Sequence, residues 1–141
     1  MYELIQAGSR SYYINCPAKA GLYLAADGAY LIDSGNDKEA GRKLLRLLEQ
    51  NSWSLAGIIN THSNADHIGG NRYLSQQTGC PIFASDIEAC FTRHPQLEAA
   101  LLYGGYPLSQ LRHKFLLAAA SDAVTLDDDR FPQELTVLRC V

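Results

Sequence analysis

Ten consecutive residues hold the densest chemistry in the chain: Thr61-His62-Ser63-Asn64-Ala65-Asp66-His67-Ile68-Gly69-Gly70. Two imidazoles, one carboxylate and one amide fall within the six positions from His62 to His67. Imidazole nitrogen and carboxylate oxygen are good zinc donors. Alternate residues of an extended loop point the same way. His62 and Asn64 are thereby placed to share one ion, and Asp66 and the adjacent His67 to face a neighbouring one. Asn64 is the weak member, because a neutral amide oxygen binds a transition metal much less well than imidazole does.

The elements around this segment explain how it is presented. The apolar run at 55–60 reads as a short strand covered on both faces. A short helix over 71–77, stopped by Gly79, follows the loop. Ligand sites in parallel sheets gather beyond the carboxyl ends of strands, which is where this loop falls. Upstream, Asn36 or Asp37 can cap a helix whose stripe is Ala40, Leu44, Leu47 and Leu48, widened by Leu45. Asn51-Ser52 is its stop, and strand, helix and strand make a βαβ unit. The first third reads as an antiparallel meander with runs at 2–6, 11–16, 21–26 and 29–33. Asp27-Gly28 gives a hairpin signal between the last two. After the loop, a strand at 80–84 leads into Ser85-Asp86-Ile87-Glu88, which matches a capping box. The helix it starts is interrupted at His94-Pro95. Segments 96–103 and 108–119 read as helical, and 123–126 and 135–141 as strands.

Composition bounds the class. A chain of 141 residues is one domain. Twelve basic against fifteen acidic residues give a net charge of −3, which argues against a nucleic-acid or anionic-membrane partner. No run approaches the ~18 apolar residues of a membrane span. Met1-Tyr2-Glu3-Leu4 lacks the pattern of an export signal, so a cytoplasmic protein is expected. Cys16, Cys80, Cys90 and Cys140 then read as reduced, mostly buried thiols. His94 and His113 have no ligand partner at metal spacing and read as surface or core residues. Gly104-Gly105, flanked by Tyr103 and Tyr106, reads as a helix breaker.

The ordered motifs resemble the first half of the metallo-β-lactamase superfamily. Leu31-Ile32-Asp33-Ser34-Gly35 is similar to its first signature. Ile58-Ile59-Asn60-Thr61-His62, leading to Gly69-Gly70-Asn71, is similar to its metal loop, H-x-H-x-D-H. Residues 78–84 resemble the strand that follows. The resemblance implies an α/β fold: half of an αββα sandwich, a mixed sheet with helices on one face, in one truncated domain over 1–141. It implies a hydrolase that attacks an ester, thioester or amide-type bond with metal-activated water. It also implies zinc or iron on His62, Asn64, Asp66 and His67, with Asp66 orienting the attacking hydroxide and Asp33 supporting the loop from behind. Asn64 stands where the family has a histidine, and the family's later ligands have no counterpart in the chain. Weak or absent metal binding and little hydrolysis by this chain alone are therefore expected. The alternative is a metal-poor, non-catalytic fragment that folds and self-associates. The bare inner face of a half-sandwich, with a charged fraction of only 19%, leads to the expectation of a homodimer or higher homo-oligomer.

Overall fold

The computed structural model describes residues 2–138. Its frame is one mixed seven-stranded sheet in which spatial order follows chain order. Strands β1 (Glu3–Gln6), β2 (Ser11–Asn15), β3 (Ala20–Leu24) and β4 (Ala29–Ile32) form the antiparallel meander. Strands β5 (Leu55–Ile59), β6 (Ile82–Ala84) and β7 (Ala123–Thr125) continue it in parallel from β4. The switch occurs where helix α1 (Lys38–Gln50) crosses from β4 to β5. Short parallel pairs need such crossovers, whereas the meander needs only tight links.

One face of the sheet carries the main core. Leu22, Leu31, Ile58, Ile82 and Ala123 pair across five successive strands. Side chains alternate along a strand, so these residues share a face. Leu44 and Leu48 of α1, Leu74 of α3 (Asn71–Thr78) and Ala89 of α4 (Asp86–Arg93) pack against it. The expected stripe is the one buried: Ala40, Leu44 and Leu48 are almost fully covered, while Leu45 and Leu47 pack at its edge. Asp37 is the cap, its Oδ1 accepting the Ala40 amide at 2.8 Å.

Several expectations need correction. The Asp27-Gly28 hairpin forms, but strands end at Leu24 and begin at Ala29, so the link has four residues. The Ala25 amide donates to the Gly28 carbonyl at 2.8 Å, and Asp27 accepts from the Tyr30 hydroxyl. The loop at 61–70 contains a one-turn helix, α2 (Ala65–Ile68). Helix α5 (Gln96–Tyr103) forms as expected, but 108–119 gives only a 3₁₀ turn at Ser109–Leu111. Short helices survive by burying an apolar face, and here Leu108 is 70% and Phe115 58% exposed. Residues 135–138 are not a strand, and Arg139, Cys140 and Val141 lie outside the described residues. The chain instead turns over the second face of the sheet. Phe131 meets Phe83 edge-on at 5.4 Å, and Glu134 takes the Tyr23 hydroxyl at 3.0 Å and the Ala26 amide at 2.9 Å. That face is therefore partly covered rather than bare.

No helix among the described residues is long and apolar enough to cross a membrane. Cys16, Cys80 and Cys90 are free thiols, and Cys140 is outside the described residues. Burial pushes the thiols of Cys16 and Cys80 above their ordinary pKa, which keeps them protonated.

Candidate metal centre

Two chain reversals meet beyond the carboxyl ends of β4 and β5. After β4, Asp33 adopts a left-handed backbone with φ of 65°. Aspartate tolerates that region better than most residues. The turn aims its carboxylate at the segment leaving β5. Asp33 Oδ1 accepts the Thr61 amide at 2.9 Å, and Oδ2 accepts the Thr61 hydroxyl at 2.7 Å. Oδ2 also lies 2.9 Å from His67 Nδ1. The carboxylate is only 5% exposed, and three donors compensate its burial.

The two signatures are held together at backbone level. The Ser34 amide donates to the His67 carbonyl at 2.7 Å, and the Gly69 amide to the Gly35 carbonyl at 2.8 Å. A Cβ on Gly69 would fall 2.2 Å from the Asn36 carbonyl carbon, and one on Gly70 would fall 2.3 Å from the Ser34 oxygen. Only glycine permits this approach. Asn60 and Asn71 close the loop's base, with Asn71 Nδ2 donating to Asn60 Oδ1 at 2.7 Å inside the core.

The loop's chemical groups are displayed above this base. The rings of His62 and His67 sit with centroids 4.1 Å apart, tilted by 47°. His62 Nδ1 lies 2.7 Å from Thr61 Oγ1. Both Nδ1 atoms are thus engaged with the protein, which leaves the two Nε2 atoms as the outward donors. Asp66, about half exposed, places Oδ2 3.5 Å from His67 Nε2. Two donors on one tetrahedral zinc, at bonds of ~2.0–2.1 Å, lie about 3.3 Å apart. The Asp66–His67 pair therefore fits one ion's ligand set. Asp33, His62 and His67 also offer ligand atoms all within 4.8 Å of one another. Asp33 already takes the Thr61 amide and hydroxyl and lies against His67 Nδ1, so it is tied to the ring it faces. A carboxylate behind a metal-binding histidine fixes its ring and tautomer.

Asn64 departs from this group. It stands at the N-cap of α2, and its backbone carbonyl accepts from the amides of His67 at 2.8 Å and Ile68 at 3.2 Å. Its exposed side chain makes no cap bond. His94 and His113 stand in other segments: His94 closes α4, and His113 lies beside Phe115.

Two residues near the centre escaped the sequence reading. Glu88 was expected to close a capping box with Ser85. Instead Ser85 makes no side-chain cap, and Glu88 Oε2 accepts the Ser63 amide at 2.6 Å. This ties α4 to the loop between His62 and Asn64, 25 residues away, so local spacing carried no signal of it. Glu98 on α5 is the other. Burial, then the Glu88 and Asp66 carboxylates, raise its pKa above the ordinary value. Tyr103 and Tyr106, which flank Gly104-Gly105, are 47% and 70% exposed.

Comparison with known proteins agrees with this frame. The metallo-beta-lactamase superfamily pattern matches residues 14–139, so the chain belongs to that superfamily. A hydroxyacylglutathione hydrolase from Methylococcus capsulatus is 34% identical over 70 residues, 48% of this chain and 26% of that protein. One from Hyphomonas neptunium is 44% identical over 41 residues, 29% of this chain and 16% of that protein. These stretches span about a quarter or less of the relatives' own length. Among solved structures, a Cronobacter sakazakii metallo-beta-lactamase with a HARLDQ motif superposes with TM-score 0.70 at 19% identity, covering 87% of this chain and 46% of that one. A subclass B3 metallo-beta-lactamase of Bradyrhizobium japonicum gives TM-score 0.69 at 17% identity, covering 86% and 43%. The chain thus has the α/β frame of about half of such a protein.

Proposed function

We propose that this chain carries the first metal-binding half of a hydrolase that splits an acyl thioester or a related ester or amide bond. The observation behind it is the facing pair His62 and His67, each tied at Nδ1 and open at Nε2, with Asp66 beside it. Membership of the superfamily supports the reaction class, and the hydroxyacylglutathione hydrolases, whose name denotes an acyl–thiol substrate, support the thioester.

In this reading His62, Asp66 and His67 hold zinc or iron, and Asn64 contributes little because of its amide chemistry and its place at the start of α2. A metal there supplies a Lewis acid and lowers the pKa of water toward neutrality. The remaining roles belong to the chain. Asp33 and Thr61 keep the imidazoles aimed outward. Glu88 fixes the backbone between His62 and Asn64. The exposed Asp66 carboxylate orients the attacking water and takes up its proton.

Three ligands at most come from these residues, so turnover by the chain alone should be slow. The test is hydrolysis of an S-acylglutathione by zinc-loaded chain, with a β-lactam alongside. The expected result is slow thioester cleavage, lost on chelation and in Asp66→Ala. No zinc-dependent cleavage at any loading would contradict the proposal and favour the metal-poor, non-catalytic alternative.

A further inference from the structure

The hydroxyl of Thr61 sits between two groups that both need something from it. Its Oγ1 lies 2.7 Å from Asp33 Oδ2 and 2.7 Å from His62 Nδ1. A hydroxyl carries one proton and two lone pairs. The Asp33 carboxylate is an acceptor only, and its other contacts here, the Thr61 amide and His67 Nδ1, are the donors that it requires. The Thr61 proton therefore points at Asp33, in a charge-assisted bond that is about twice as strong as a neutral one. What the oxygen turns toward His62 is a lone pair. His62 Nδ1 must then bring its own proton, and Nε2 is left bare.

We propose that Thr61 is a positioning residue for the metal loop: it relays the acceptor character of Asp33 to His62 and so sets that ring's tautomer. A single buried carboxylate then orders both imidazoles. It acts on His67 directly and on His62 through one hydroxyl. The Thr61 amide, bound to the other Asp33 oxygen, prevents the hydroxyl from swinging away. The inference rests on the metal-centre reading for its purpose, but not for its geometry.

The test is made on the metal-free chain at a pH near 8, where an ordinary histidine is neutral. Two-bond proton–nitrogen correlations report which ring nitrogen carries the proton. The expected result is the Nδ1–H form for both His62 and His67, in the wild type and in Thr61→Ser. Thr61→Val keeps the shape and removes the hydroxyl. In it His62 should lose the Nδ1–H form while His67 keeps it, and zinc affinity should fall about tenfold, at the lower end of outer-support losses. A merely structural threonine would leave the His62 tautomer unmoved. The proposal is overturned if wild-type His62 carries its proton on Nε2, a result that needs no variant to fold, or if Thr61→Val leaves His62 unchanged. Failure of the hydrolase reading looks different: zinc binding is absent while the tautomers remain as described.

Discussion

At the scale of single residues, position 64 offers the sharpest test of metal binding. Asn64 occupies the second position of the metal loop, and its backbone rather than its side chain is engaged. Asn64→His should raise zinc affinity by at least tenfold, measured by equilibrium dialysis. No gain would show that the loop no longer aims position 64 at His62. Glu88 offers a second test. Its bond to the Ser63 amide is short and charge-assisted at 2.6 Å. Glu88→Ala should speed hydrogen exchange at Ser63 about tenfold while α4 amides change little. The reverse pattern would restore the capping-box role. The cluster of His62, Asp66 and His67 was visible in the sequence because its spacing is local, whereas Asp33, 28 residues before Thr61, was singled out only by the superfamily resemblance. The Glu88 contact was not visible, because only the packing of α4 brings its carboxylate to the loop.

At the scale of elements, regular segments with buried stripes were readable and unsupported ones were not. Helix α1 carries its pattern in Ala40, Leu44 and Leu48, and the structure buries all three. The segment 108–119 has helical composition but little to bury, so it follows other contacts. One of these is the Lys114–Asp37 pair at 2.6 Å. The Lys114 ammonium, against the opposing effect of burial and with help from the Ala40 amide, holds Asp37 below the ordinary carboxylate range. A depressed carboxylate pKa contributes stability above the unfolded value and loses it as pH falls through the folded one. Asp37→Ala should therefore cost about 1 kcal/mol at pH 7, chiefly through the lost cap. The gap between variant and wild type in thermal unfolding should narrow below about pH 4, the unfolded carboxylate value. A constant gap from pH 7 to pH 3 would remove charge from the explanation.

At the scale of the whole molecule, the meander followed by βαβ units was expected from the order of motifs, and it is the order observed. The closing segment was not legible. Residues 135–141 alternate like a strand, yet 131–134 are drawn onto the second sheet face through Phe131 and Glu134. What remains of that face includes Tyr13, 43% exposed, with Ile32 and Ile59 half-buried. We propose that two copies pair over it. Light scattering at micromolar concentration should give twice the chain's mass, and Tyr13→Glu should return a monomer. A monomeric wild type would end that proposal. Metal binding is decided by zinc titration followed by elemental analysis. Saturable binding is expected, lost in His62→Ala and in His67→Ala and weakened in Asp33→Asn. Zinc content that is nil in the wild type, or unchanged when both histidines are replaced, would contradict this expectation.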